Sequence, residues 1–326
     1  MKTRVGLIVL LASAILAGNP GAAPLTTWQV ALYGVRPDGS GLHLIVQPDG
    51  PETGFARSPG GRSILFNRTV DDKSVLFAAD LTGANAVQLT PPEMSAPFKL
   101  AAFSPDGRTI SFSKLTFCGF RCNQYALYLV SRDGTDLRMI DASGYAPSWA
   151  PDGGRLAFTS PRGLQVFDLT SGESKVIAPR AGGPVWAPRG ERIAYPAVIG
   201  GYGVGCFVNA DGSKRRCTHG HSLTWFVWSR DAKRVAFKQA NPRRLGIVDS
   251  GVRHLRLLGY RGRYARPAAW SPDGRRLLYE SSGQLIRLSL GRRPRTRLVV
   301  AESNASLSDI RWRKDAITYV AVRYQP

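Results

Sequence analysis

The segment Trp270-Ser271-Pro272-Asp273-Gly274-Arg275 decides the fold, because versions of it recur along the chain. Each copy opens on an anchor residue, usually aromatic, and continues into a turn of the Pro-Asp-Gly type. The seven anchors are Arg57, Phe103, Trp149, Trp186, Trp228, Trp270 and Trp312, separated by 46, 46, 37, 42, 42 and 42 residues. A repeat of about 40–45 residues is the period of a four-stranded propeller blade.

A second aromatic residue keeps phase with these anchors. It falls nine residues after six of them, at Phe66, Phe112, Phe158, Tyr195, Phe237 and Tyr279, whereas Tyr319 follows Trp312 by seven. Each of these aromatics ends an alternating run such as residues 155–158, which is typical of a strand with one buried face. Later turns such as Arg132-Asp133-Gly134 indicate a hairpin. Each repeat is therefore predicted to contain four strands, a to d.

The last repeat is incomplete, since only seven residues follow Tyr319 and strands c and d are missing. Residues 31–39 match residues 126–134 in register, so the N-terminus can supply that hairpin. The sequence predicts an all-β protein, a seven-bladed β-propeller of four-stranded blades closed by its N-terminal hairpin, with residues 24–326 as one domain. Six blades with a loose end is the alternative.

A short apolar run at the N-terminus indicates export. Lys2 and Arg4 precede the run at residues 5–17, and helix breakers follow from Gly18. Because the run is shorter than the roughly 20 residues that cross a bilayer, we interpret residues 1–23 as a signal peptide and expect no transmembrane span after its removal. The protein is then periplasmic, in the cell envelope or extracellular. Retention of the segment as an anchor is the alternative.

The four cysteines form two close pairs, Cys118 with Cys122 and Cys206 with Cys217. In an oxidising compartment this spacing predicts two local disulfides. Symmetry about Asp211-Gly212 predicts that Cys206 and Cys217 form a hydrogen-bonded pair, whose wider spacing suits a disulfide less well. A zinc site is the alternative, but the spacing lacks the two-residue knuckles that such sites prefer.

The repeats resemble the TolB-type propellers, whose signature is an aromatic residue followed by Ser-Pro-Asp-Gly, as in residues 103–107 and 270–274. The resemblance covers about residues 28–321. It implies the propeller fold and several roles: partner binding in envelope complexes, non-catalytic gating beside a prolyl-oligopeptidase-like domain, or lyase activity. The sequence has no Gly-x-Ser-x-Gly nucleophile motif, which argues against a serine hydrolase.

Two of the four histidines, His219 and His221, form a cluster in the connection after the fourth repeat. Imidazoles on alternate residues can share a metal ion. The resemblance implies that some propeller lyases use histidines and a divalent metal on the face formed by such connections between blades. No carboxylate nearby in sequence completes a ligand set. We therefore predict no cofactor and keep His219 and His221 as metal candidates, with hydrogen bonding in a polar loop as the plainer interpretation.

Positive charge is concentrated in the second half of the chain. Residues 24–186 carry 15 basic and 14 acidic side chains, and residues 187–326 carry 27 and 9, out of a formal net charge of +21. We expect this half to attract polyanions with a strength that falls with salt. Its densest basic and aromatic run predicts an anion site formed by Arg256, Tyr260, Arg261, Arg263, Tyr264 and Arg266. A general preference for arginine, 35 Arg against 9 Lys, is the alternative explanation.

These observations predict an exported, monomeric, non-catalytic binding scaffold of the cell envelope. Its expected partner is an envelope protein, an anionic polymer or a lipid headgroup. Nucleic acid is not expected, because an exported protein rarely meets it and no recognition motif is present. The competing prediction is a metal-assisted lyase or hydrolase of acidic polysaccharide that uses His219 and His221.

Overall fold

A computed structural model of the chain describes residues 27–47, 53–94, 98–117, 123–240, 243–258, 265–291, 294–302 and 305–325. The strands in these residues form seven four-stranded antiparallel sheets arranged as the blades of a propeller. The prediction of seven blades is confirmed, and the six-bladed alternative is wrong. A single 3-10 turn, Pro92–Met94, is the helical element within the described part of the chain.

Each blade is built from strands a to d, with strand a closest to the central channel. Strand a of blades 1 to 7 is β3 (Thr53–Arg57), β7 (Phe98–Phe103), β11 (Tyr145–Trp149), β15 (Val185–Trp186), β19 (Leu223–Trp228), β23 (Arg266–Trp270) and β27 (Ala305–Arg313). Strand b is β4 (Ser63–Val70), β8 (Thr109–Phe117), β12 (Arg155–Ser160), β16 (Arg192–Ile199), β20 (Arg234–Gln239), β24 (Arg276–Ser281) and β28 (Ala316–Gln325).

The outer half of each blade repeats the same plan. Strand c is β5 (Lys73–Asp80), β9 (Asn123–Ser131), β13 (Gly163–Asp168), β17 (Tyr202–Asn209), β21 (Arg244–Asp249), β25 (Gln284–Ser289) and, in blade 7, β1 (Thr27–Val35). Strand d is β6 (Val87–Gln88), β10 (Arg138–Asp141), β14 (Ser174–Ala178), β18 (Arg216–Cys217), β22 (Leu255–Leu257), β26 (Arg295–Ala301) and, in blade 7, β2 (His43–Val46).

The N-terminal hairpin closes the ring, as the incomplete last repeat predicts. β1 pairs with β28 along its whole length, with Leu32 opposite Val320 and Tyr33 opposite Tyr319. The rings of Tyr33 and Tyr319 stack at 5.5 Å. The two ends of the chain therefore share one sheet. Strand c from the N-terminus covers the edge of strand b, which would otherwise be unpaired.

The recurring motif forms the turn between strands a and b. In blade 6, Ser271 Oγ donates to Asp273 Oδ1 (2.5 Å) and accepts from the N–H of Arg276 (2.9 Å). The side-chain hydrogen bond from Ser271 is the main reason that the pKa of Asp273 lies below its usual value of 3.8. Blades 2 and 5 repeat this Ser–Asp bond. These aspartates therefore stabilise turns, as their position in the motif indicates.

Three anchor tryptophans, Trp149, Trp228 and Trp270, donate a hydrogen bond to the preceding blade. The Nε1–H of Trp270 donates to Val227 O and that of Trp228 to Val185 O, both at 2.9 Å and both on the preceding strand a. The second aromatics, such as Phe158 and Phe237, are fully buried. Packing between blades therefore explains why the aromatic pattern repeats.

Alternation of strand direction gives the ring two different ends. We call the end formed by the a–b and c–d turns, for example residues 104–108 and 209–213, the turn face. The end formed by the b–c turns and the d–a connections, for example residues 200–201 and 218–222, is the loop face. These two names place the candidate residues below.

The disulfide between Cys206 and Cys217 is present and the two residues face each other as predicted, but the hydrogen-bond pattern around them corrects the prediction. The two Cα atoms lie 4.0 Å apart, which is the short spacing of a non-hydrogen-bonded pair. Thr218 N–H donates to Gly205 O (2.9 Å), so the ladder hydrogen bond falls one residue away from the cysteines. The expectation of a hydrogen-bonded pair is therefore wrong.

An asymmetric turn explains why the cysteine pair is not hydrogen-bonded. Asn209 N–H donates to Ser213 O, and Lys214 adopts a left-handed φ of 52°, which inserts one extra residue on the β18 side. Cys206 and Phe207 still face Cys217 and Arg216, symmetrically about Asp211-Gly212, but the extra residue converts the cysteine pair into a non-hydrogen-bonded one. The other predicted pair, Cys118 with Cys122, lies outside the described residues and stays a prediction.

Within the residues listed above as described, we find no helix that is long and apolar enough to cross a membrane. The predicted signal peptide, residues 1–23, lies outside them.

Candidate functional site: a groove between blades 4 and 5

A groove of about 540 Å³ runs along the outer edges of blades 4 and 5. One wall is formed by β18 and the connection after it, through Arg216, Cys217, Thr218, His219 and His221. The opposite wall comes from the outer hairpin of blade 5, through Gly251, Val252 and Leu255. The groove therefore combines a basic, polar wall with a partly apolar one.

Two local features hold the basic wall in place. The disulfide from Cys206 fixes Cys217 against β17. The buried Thr218 hydroxyl accepts from Gly205 N–H and donates to His221 O, each at 3.0 Å, which fixes the connection as it leaves the strand. The groove thus owes its shape to residues directly beside its polar groups.

The structure brings the two predicted histidines to this wall. His221 accepts a hydrogen bond at Nδ1 from Gln239 Nε2 (3.1 Å), whereas His219 is exposed. Among the described residues, no group of three or more His, Cys, Asp or Glu side chains is arranged to hold a metal ion.

Arg216 supplies the formal positive charge of the groove. It is exposed, and its side chain makes no ion pair or hydrogen bond with any other described residue. A guanidinium in this state retains its full set of donors for an anionic group.

Asp249, the acidic residue at the end of β21 in the hairpin that forms the opposite wall, is committed to that hairpin. Its carboxylate accepts from the N–H groups of Gly251 (2.7 Å) and His254 (2.5 Å) and lies 3.0 Å from Nδ1 of His254. Burial raises the pKa of Asp249, but these hydrogen bonds outweigh it and hold that pKa below 3.8. Asp249 is therefore a charged part of its own hairpin.

The predicted arginine–tyrosine run is not assembled into one site by the residues that are described. Arg256 in β22 donates to Leu290 O (3.3 Å) and Gly291 O (3.1 Å) at the turn face of blade 6. Tyr260, Arg261, Arg263 and Tyr264 lie outside the described residues, so their part in an anion site stays a prediction.

Arg266 lies toward the other end of the ring. At the start of β23 it pairs with Glu280 (2.8 Å), donates to Leu307 O (2.8 Å) and stacks over the ring of Trp225 at 5.1 Å. Arg256 and Arg266 are therefore separated along the propeller axis, and both guanidinium groups are bonded within the protein.

Arg216 is a site residue that the sequence did not predict, although it lies in the basic run Lys214-Arg215-Arg216 directly before Cys217. The sequence could not show which residues form the opposite wall of the groove. Val252 and Leu255 belong to the next blade, and only the packing of two outer hairpins brings them opposite Arg216.

The fold and this groove define the class of the protein, a seven-bladed β-propeller with a basic inter-blade groove. No model of a known protein family matches the chain, and no curated protein matches it. Many solved structures do.

Three of these solved structures illustrate the range. An oligogalacturonate lyase from Vibrio parahaemolyticus is similar at 15% identity with a TM-score of 0.61, over 90% of this chain and 96% of that chain. An oligogalacturonate lyase in complex with manganese is similar at 15% identity and 0.59, over 90% of each. A protein from Agrobacterium tumefaciens assigned provisionally as TolB is similar at 17% identity and 0.53, over 92% and 99%. At such identities the likeness establishes the fold alone.

Proposed function

We propose that this protein is an exported, non-catalytic binding scaffold that takes up an anionic partner in the groove between blades 4 and 5. The observation that carries the proposal is the pairing of an exposed, uncommitted Arg216 with His219 on one wall and apolar Val252 and Leu255 on the other. Such a groove suits a ligand with both a carboxylate, sulfate or phosphate group and an apolar face.

Long-range electrostatics support the same partner class. The groove belongs to the half of the chain in which basic side chains outnumber acidic ones by 27 to 9. A positive arc of this kind raises the local concentration of polyanions and speeds their encounter, with an effect that salt screens.

Export is supported by two features. The Cys206–Cys217 disulfide is of the kind that persists in oxidising compartments. The N-terminal sequence has the basic, apolar and small-residue order of a secretory signal.

A metal-assisted lyase of acidic polysaccharide is the second candidate, favoured by the position of His219 and His221 on one groove wall. The two candidates differ in a measurable way. The metal-assisted lyase needs a bound metal and leaves an unsaturated product, whereas a scaffold binds the polymer and releases it intact.

The test uses polygalacturonate as the probe and Arg216→Ser as the variant. Loss of a charge-assisted contact of roughly 1.5 kcal/mol or more predicts an affinity at least about tenfold weaker. Arg230→Ser is the matched control, because Arg230 is an exposed arginine on the turn face of blade 5 outside the groove. Equal affinity of Arg216→Ser and the wild type would refute the groove as the binding site.

Metal content and product formation are followed on the same samples. Stoichiometric metal together with unsaturated product, both lost in His219→Asn and His221→Asn, would establish the lyase instead.

A further inference from the structure

The loop face carries one hairpin that differs from its neighbours, the b–c hairpin of blade 4. β16 and β17 are eight residues each and pair to the last residue, with Ile199 opposite Tyr202. The corresponding strands of blades 3 and 5 have six residues. At about 3.4 Å per residue, two extra pairs carry the tip roughly 7 Å further than its neighbours.

The tip is apolar and exposed to solvent. Val198 is 51% exposed, Ile199 49% and Tyr202 75%. Gly200 and Gly201, with φ of 58° and 82°, form the tight turn between them. We call residues 198–202 the apolar tip.

The other described b–c turns have a different chemistry. Blade 1 presents Asp71, Asp72 and Lys73 at this position, blade 3 presents Arg162, and blade 6 presents Ser281 and Ser282. Polar tips are the ordinary solution for a hairpin end in water, so a projecting apolar one marks an interaction site.

Charge around the apolar tip is one-sided. Residues 179–258 contain four acidic side chains, Glu191, Asp211, Asp231 and Asp249, and all four lie at turns on the turn face. The loop face of the same two blades carries Arg180 in a d–a connection, Lys238 at the end of β20 and Arg243 in a b–c turn. The loop face of blades 4 and 5 is therefore cationic and free of carboxylates.

An exposed aromatic belongs to the same end of the ring. Trp225, at a left-handed bulge of β19 with φ of 55°, is 55% exposed, and its ring is held by the guanidinium of Arg266. Tryptophan and tyrosine are the residues that favour the boundary between headgroups and acyl chains.

We propose that the apolar tip inserts into the interfacial region of an anionic lipid bilayer, with Arg180, Lys238 and Arg243 against the headgroups. This site is separate from the groove between blades 4 and 5. The surface of a five-residue tip is well below the roughly 800 Å² that each partner buries in a stable protein–protein interface. A bilayer needs less, because a shallow apolar insertion and a basic patch together give reversible binding.

The experiment measures partition of the exported protein onto phosphatidylcholine vesicles with and without phosphatidylglycerol. The test variant is Ile199→Ser with Tyr202→Ser, which keeps the Gly200-Gly201 turn. The control is Met139→Ser with Leu298→Ser, which removes a similar exposed apolar surface elsewhere. All proteins share one N-terminus, so any contribution of that segment cancels. Thermal unfolding checks that each variant is folded.

We expect binding to vesicles that contain phosphatidylglycerol, weakened by salt, and at least about tenfold weaker partition for the tip variant. The control variant should bind as the wild type does. Arg216→Ser should also bind vesicles normally, which separates this proposal from the groove. Absence of vesicle binding by the wild type, or unchanged binding by the tip variant, would overturn the proposal.

A cation test completes the design. Arg180→Ser with Arg243→Ser should reduce partition onto anionic vesicles, whereas Arg189→Ser with Arg230→Ser, an equal charge loss on the turn face, should have a smaller effect. Equal losses in the two pairs would mean that net charge alone drives binding and would contradict a loop-face orientation.

Discussion

At the scale of single residues, the Ser–Asp bond of the a–b turn shows how a short motif becomes a stable structure. Ser271 is buried and serves both the Asp273 carboxylate and the N–H of Arg276. Removing its hydroxyl leaves the partly buried N–H of Arg276 without that partner and withdraws the main cause of the lowered pKa of Asp273.

Ser271→Ala should therefore lower the free energy of unfolding by about 1–2 kcal/mol at neutral pH. Because the folded pKa of Asp273 lies below 3.8, its contribution is present above that pH and is lost as pH falls through the lowered folded value. Urea denaturation should thus show a gap between variant and wild type that narrows in acid.

The control for this comparison is Ser143→Ala, at an exposed serine whose side chain makes no hydrogen bond with other described residues. A gap that stays constant down to pH values below 3 would show that Asp273 is not involved.

At the scale of elements, the β17–β18 hairpin links stability to the groove. Its disulfide closes a short loop, because the two cysteines are 11 positions apart in the sequence. Replacing both Cys206 and Cys217 by Ala should cost about 2–3 kcal/mol of stability. It should also weaken polygalacturonate binding, since Arg216 and His219 flank Cys217. Chemical denaturation and a binding titration test the two effects.

The same variant reports on the other cysteines. A reducing agent that lowers the unfolding temperature of the Cys206→Ala, Cys217→Ala protein would show that Cys118 and Cys122 are bonded. Unchanged stability of the double variant relative to the oxidised wild type would contradict the role assigned to the hairpin.

The elements also show where prediction from sequence reaches its limit. The anchors Trp149 to Trp270, and the aromatic residues nine positions after them, specify strands a and b, because they fill repeating positions between blades. Spacing predicted that Cys206 faces Cys217 but not that the pair is non-hydrogen-bonded, since that depends on the left-handed conformation of Lys214. Nor could the sequence show that Arg266 is committed to Glu280 and Trp225, because those contacts cross between strands far apart in the chain.

At the scale of the whole molecule, closure and charge distribution follow from the order of the repeats. Blade 7 joins β27 and β28 to β1 and β2, which the incomplete last repeat predicted. The uneven charge was visible in the sequence, but only the fold shows on which face of the ring the acidic and basic side chains lie. The ring places the acids of blades 4 and 5 on the turn face and leaves the loop face of those blades cationic.

The measurement that most directly tests the proposed function is polygalacturonate binding by the protein at low and high ionic strength, with the absorbance of unsaturated product followed in the same cell. The account predicts saturable binding that salt weakens, together with an intact polymer. Absence of binding at low salt, or binding accompanied by steady product formation, would contradict a non-catalytic scaffold that binds an anionic partner.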